Sequence, residues 1–188
     1  MESLVGKLLV ARPGLRESIF ARSLVIICSH DAQGAWGLIV NSPIENTERC
    51  TQVWDYLGYS QGAPFGMDLW LGGPVLPDRV IVMHDLSWRG PATQPLVNNL
   101  GITQDPSIFQ ALHHGHGPRD YKIFLGFAAW SPGQLEGELG GQAPWTVEQS
   151  WLISAVGGDE IMSVDSQEEQ WFSAVQGVSQ RWAEGILS

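Results

Sequence analysis

Cysteine is almost missing from this 188-residue chain, with Cys28 and Cys50 the only two. Two thiols make no disulfide scaffold, and with no secretion signal at the start the reduced, cytoplasmic state is expected. Cys28 closes the apolar run "LVIIC", where a thiol serves as a small core residue. Positive charge is scarce as well: Lys+Arg number 10 against 20 Asp+Glu, a net charge of −10. No segment gathers those cations into a stripe. A surface that binds phosphates directly needs such clustering to release counterions, so direct nucleic-acid binding is not expected. Long apolar runs are also missing. Nothing approaches the roughly 20 residues of a membrane span. The opening "MESLVGKLLVARPG" has an acidic second residue and an apolar stretch broken by Gly6, Lys7 and Arg12, unlike an export leader. With 44% hydrophobic residues, the composition fits one substantial core and a single domain over residues 1–188.

Strand and helix signals alternate along the chain. "KLLVA" (7–11) reads as a short buried strand. "LVIIC" (24–28) and "WGLIV" (36–40) flank the polar turn Asp31-Ala32-Gln33-Gly34 and predict a hairpin. After the stop signal Asn41-Ser42-Pro43, Val53, Trp54 and Leu57 fall at helical spacing in "TQVWDYLGY", with Gly58 as the C-terminal cap. "LWL" (69–71) and "VIVMH" (80–84) read as strands around Gly72-Gly73-Pro74-Val75, whose glycines suit a tight turn. Asp105 and Pro106 open a helix over 106–114 that Gly115 ends, with Ile108, Phe109 and Leu112 inward. "YKIFLGFAAW" (121–130) is a long apolar strand in which Gly126 admits a close neighbour. Ser166 and Glu169 form a capping box ahead of a stripe of Trp171, Val175, Val178 and Trp182. The sum is an α/β sandwich with a mixed, mostly antiparallel sheet flanked by helices.

The stretch "FLGFAAWSPGQLEGEL" (124–139), where a strand runs through a turn into a helix, lies near the pattern that presents a serine nucleophile. The residue after Ser131 is Pro132, which has no N–H to offer an oxyanion. Ser131 as N-cap, Pro132 in the first helical position and Gln134 as capping-box partner explain the same residues structurally. Glu136 and Glu138, two apart on a helix, do not converge as an acid/base pair and suit the positive helix end. His113, His114 and His116 in "HHGHGP" lack the spacing and companions of a metal site, so no metal is expected. "LGGPV" lacks phosphate-loop spacing. Arg22, His30, Asp31, Asn41 and His84 sit beside apolar strands, where satisfied strand-end partners are the common role. The nine tryptophans include Trp36, Trp70, Trp88 and Trp145, whose surplus over the core would line an apolar cleft.

Four ordered blocks, "LLVARPGL…IFARSLVIICSHDAQGAWGLIVNSP", "LGGPVLPDR", "LGFAAWSPGQLEGEL" and "SWL", resemble the bacterial AlgH/YqgE family from about residue 7 to about residue 182. The resemblance implies a single α/β sandwich and a link to transcriptional control of alginate production, with no enzyme activity or cofactor attached. It marks a motif face of Phe20, Arg22, Ser23, His30, Gly34, Gly37, Asn41, Pro43, Gly72, Gly73, Pro74, Trp130, Gly133, Gln134, Leu135 and Glu136. Departures from the pattern are Ser42, Ser131, the segment "DLSWRGPATQP" and the residues around Pro144 and Trp145. The expected function is a non-enzymatic, cytoplasmic regulatory protein that binds a protein partner at a shallow aromatic cleft between the Trp130-to-Glu136 turn and the Phe20-Arg22 region. The alternative is a small-molecule-binding protein or enzyme with a pocket around His30, Asn41, His84 and Glu136. A deep cavity lined by two of those four would favour the alternative.

Overall fold

The computed structural model describes residues 3–15, 18–59, 68–140, 150–154, 161–162 and 166–187, with side chains to residue 180. Among them the order is β1 (Leu8–Ala11), β2 (Leu24–Asp31), β3 (Gly34–Ile39), α1 (Thr47–Tyr56), β4 (Trp70–Leu71), β5 (Val75–Asp85), β6 (Gln94–Val97), β7 (Leu100–Thr103), α2 (Ser107–His113), β8 (Tyr121–Trp130), α3 (Gln134–Gly140), β9 (Trp151–Ser154) and α4 (Gln167–Leu187). The strands form one nine-stranded sheet ordered β6-β7-β5-β8-β3-β2-β1-β9, with β4 lying parallel beside β8 and every other pairing antiparallel. This is the mixed, mostly antiparallel α/β arrangement that the sequence predicts.

Local chemistry explains most of the boundaries. In the β2–β3 hairpin Asp31 pairs with Gly34, and the Asp31 carboxylate accepts the Gln33 N–H at 2.7 Å, an Asx turn that fixes the register. Helix α1 starts four residues before the predicted segment because Asn46 caps it, accepting the Arg49 N–H at 3.0 Å. The Ser166–Glu169 capping box forms in both directions ahead of α4. A second hairpin, β6–β7, turns through Asn98-Asn99 with Asn98 at φ 50°. Asparagine tolerates that left-handed conformation, and Pro95 is accommodated because β6 lies at the sheet edge.

Strand β8 belongs to both halves of the sheet. Its residues 121–127 pair with β5, and residues 128–130 pair with β3. Near the end of the first stretch, Gly126 takes φ 68°. The glycines of "LGGPV" do not make a hairpin turn, because β4 leaves β5 and pairs with β8 instead. Gly72 donates to Leu125 O at 2.8 Å and accepts from the Ile39 N–H at 2.9 Å, so it stitches β8 to β3. A Cβ on Gly72 would overlap the Gly126 carbonyl oxygen, and one on Gly126 would overlap that of Gly73.

Three apolar clusters result. One face of the sheet packs Leu8, Ile26, Leu38, Met83 and Phe124 against the α4 stripe of Trp171, Ala174, Val175 and Val178. On the other face, α3 covers Leu9, Val25, Ile39 and Ala128 through Leu135. Helices α1 and α2 cover Val82, Ile123 and Leu125 through Trp54, Ile108 and Phe109. Trp182 and Trp145 lie outside the described side chains. Replacing Gly72 with alanine should lower the stability by about 2–4 kcal/mol, because backbone on both sides must shift. Urea denaturation measures it, and a change below about 0.5 kcal/mol would contradict the close crossing.

Candidate functional site

The strand-turn-helix at residues 130–138 holds the densest set of polar contacts. Gly133 sits at φ 74°, and its carbonyl accepts the first α3 bond, from Gly137 at 3.1 Å. Gly133 is therefore the N-cap, and Ser131 and Pro132 belong to the turn before it. That corrects the expectation of Ser131 as cap and Pro132 as first helical residue. Gln134 still reaches back, accepting the Ser131 N–H at 3.0 Å. Ser131 itself is exposed.

Both glutamates of α3 are bound within the protein, which corrects the expectation of a dipole-and-solvent role. Glu138 takes the indole N–H groups of Trp130 and Trp151 on one oxygen, at 2.9 and 2.8 Å, and the Gln134 amide on the other at 2.9 Å. Glu136 contacts His30 Nε2 at 2.7 Å, and the His30 side chain is only 1% exposed. His30 Nδ1 accepts the Leu4 N–H at 3.0 Å, which assigns the proton to Nε2 and makes Glu136 its acceptor. Both ring nitrogens are occupied, so the imidazole has no lone pair open to take a proton from a substrate. Partial burial raises the Glu136 carboxyl, but hydrogen bonds from His30 and from its own backbone N–H, with the attraction of the ring, hold it below its ordinary value.

The residues expected to form one motif face divide among three places. Phe20, His30, Trp130, Gln134, Leu135 and Glu136 meet around α3. There Phe20 packs edge-on against Trp151 at 5.5 Å, and Trp151 packs against Trp130 at 6.1 Å. Arg22, Ser23 and Asn41 lie instead by the start of α4. Asn41 accepts the Leu24 N–H at 2.8 Å and donates to Arg22 O and Gln167 O, while the Arg22 guanidinium meets Glu168 at 3.2 Å. Gly72, Gly73 and Pro74 sit at the β8 crossing. Trp130 is 6% exposed and Phe20 is half-buried.

His84, Asn41 and the His30–Glu136 pair each have separate hydrogen-bond partners, and the grooves beside α1 and beside β7 are lined by none of the four. His84 is fully buried, with Nδ1 donating to Asp85 O at 2.8 Å and Trp88 against its ring. Burial lowers its pKa, against the hydrogen bond to the Asp85 carbonyl and the Asp85 charge. Among the described residues, Trp54 is fully buried, and Trp70 lies under the Lys122 ammonium at 3.9 Å.

A family model described as AlgH-like matches residues 8–183. The chain belongs to the AlgH-like family. A UPF0301 protein from Sphingopyxis alaskensis is 34% identical over 90% of this chain and 86% of the relative. One from Xanthomonas oryzae pv. oryzae is 35% identical over 91% of this chain and 87% of the relative. The solution structure of AlgH from Pseudomonas aeruginosa superposes with a TM-score of 0.74 at 27% identity, covering 94% of this chain and 88% of that one. Placed on this AlgH-like fold, the block "LGFAAWSPGQLEGEL" is a fastening of α3 to the sheet. Its missed members are Glu138 and Trp151. Gln134 and Glu138 at i, i+4 were the available signal for the first, whereas the indole of Trp151 arrives from a separate strand.

Glu138→Leu should destabilise the protein by about 2–4 kcal/mol by stranding two buried indole N–H groups, with Glu138→Gln costing less. Thermal or urea unfolding of both variants checks the order. For Glu136 the folded pKa lies below the unfolded one, so its contribution is present above the ordinary value of 4.5 and is lost as pH falls through the folded value. Glu136→Gln should therefore flatten the acid limb of the stability–pH profile. Parallel acid limbs for wild type and variant would refute the linkage.

Proposed function

We propose that this protein is a cytoplasmic regulatory protein that works by non-covalent contact with another protein, without catalysis at the α3 turn. The observation that carries this reading is the internal use of the motif's polar groups. His30, Gln134, Glu136, Glu138 and the Trp130 and Trp151 indoles bond to one another or to the backbone. An activated nucleophile needs an adjacent base with a free lone pair, and the imidazole of this cluster has none. Ser131 is followed by a proline, so the turn offers no N–H from that position to a developing oxyanion. The net charge of −10 favours a regulatory contact made through protein and not through DNA phosphates. Among the described residues no helix is long and apolar enough to cross a membrane.

Two measurements test the reading. Crosslinking in the native cell followed by affinity capture should return a discrete protein partner, while mobility-shift titrations at low salt should show no affinity for duplex DNA. DNA binding that collapses as salt rises would replace the protein-contact reading with a direct one. A fluorophosphonate probe should label the wild type no more than Ser131→Ala. An adduct on the Ser131 hydroxyl would place acyl chemistry at the turn.

A further inference from the structure

We propose that the groove between α1 and the outer half of β5 docks a partner segment presenting an arginine or lysine beside an apolar side chain. The inference rests on the protein-contact reading above and gives it a place and a partner chemistry. The groove encloses about 700 Å³, within the range that accommodates a few side chains. Its helical wall follows from spacing: Glu48, Gln52 and Tyr56 recur every four residues, with Arg49 and Val53 one stripe over. The strand wall is Asp78 and Val80. Val53 and Val80 are half-buried and form the apolar part, whereas Glu48, Asp78 and Tyr56 are exposed.

Three observations select the occupant. Tyr56 leaves 87% of its surface in solvent, a large ring that the fold does not use for packing. Among the described residues, two carboxylates, Glu48 and Asp78, line the groove against one cation, and that cation is engaged. Arg49 Nη2 donates to Pro77 O at 3.1 Å, tying the two walls together. An anion would meet both carboxylates, and Glu48 already occupies the first turn of α1 where the helix dipole favours negative charge. A guanidinium or ammonium meets complementary charge, a tyrosine face for cation–π contact, and valines for its aliphatic stem. The strand wall is also strained. Leu76, two residues before Asp78, is left-handed at φ 45° and 53% exposed, and it precedes a proline, where the α regions are disfavoured. The register between β5 and β8 shifts between Val75 and Val80, so Asp78 belongs to a bulge that departs from the ladder.

The test is selection of a random 12-residue peptide display library on the immobilised full chain, followed by fluorescence anisotropy with the enriched peptides. Enriched sequences should pair Arg or Lys with Leu, Ile or Phe. Their affinity should fall about 10-fold or more in Tyr56→Ala and in the double variant Glu48→Gln, Asp78→Asn, and should weaken with salt. All three changes are on the surface, and unchanged melting curves verify folding. No enrichment, enrichment of acidic peptides, or affinity indifferent to both variants overturns the proposal. Sedimentation of the chain alone supplies a further outcome: a wild-type dimer that Tyr56→Ala makes monomeric would assign the groove to a second copy and overturn the stated occupant. A native partner captured equally by wild type and groove variants sinks the groove and leaves the protein-contact reading standing; no partner captured by the wild type sinks the reading itself.

Discussion

The bend in β8 at Gly126 is the constraint on which the sheet depends. β8 pairs with β5 along one edge and with β4 and then β3 along the other, and Gly126 takes φ 68° where that second edge passes from β4 to β3. A left-handed glycine carries little steric penalty, whereas a side chain there would meet the Gly73 carbonyl. The partner side is equally tight, since Gly72 fills the junction with two backbone hydrogen bonds, one to each neighbour. Paired backbone at a buried crossing satisfies groups that would otherwise be stranded away from water. The outcome is a continuous sheet with α4 on one face and α1, α2 and α3 on the other.

The α3 turn then has a structural logic that also bears on function. Trp130 ends β8, and Trp151 begins β9 at the far edge of the sheet. Their indole N–H groups converge on a single Glu138 oxygen. Charge-assisted bonds of this type contribute on the order of 1.5–3 kcal/mol each, and they tie α3 to two strands that are not neighbours in the sheet. The His30–Glu136 contact ties α3 two residues earlier and adds the N-terminal segment through Leu4. Side chains committed in this way are poor reagents. A sequence block that resembles a catalytic elbow is here a clasp.

Much of the fold was legible in the sequence. The hairpin at residues 31–34, the strand at 121–130 and the capping box before α4 rest on turn and cap chemistry, which acts within a few residues. Non-local pairings were not legible. Nothing in "LWL" announces that it will lie parallel to β8, and the short β9 acquires its identity from pairing with β1. The β6–β7 hairpin did carry a local signal in Asn98-Asn99, obscured by Pro95 and the polar residues around it. In the α3 cluster the presence of Phe20, His30, Trp130, Gln134 and Glu136 was readable. Their engagement with one another was not, because Leu4, His30 and Trp151 reach it from distant parts of the chain.

Among the described residues, three other than glycine adopt positive φ: Arg22, Leu76 and Asn98. Asn98 turns a hairpin with a side chain suited to that conformation. Arg22 is held by Asn41, whose amide bonds the Arg22 carbonyl and also the start of α4, so its strain is offset by a buried polar clamp. Leu76 stands apart, because a γ-branched side chain left 53% exposed gains little burial to offset an unfavourable backbone. The strain is retained where β5 bulges toward α1, and that bulge contributes Asp78 to the wall of the groove. Backbone strain on the order of 1–3 kcal/mol persists only where the surrounding structure enforces it. Here Arg49 supplies one such restraint by donating to the Pro77 carbonyl.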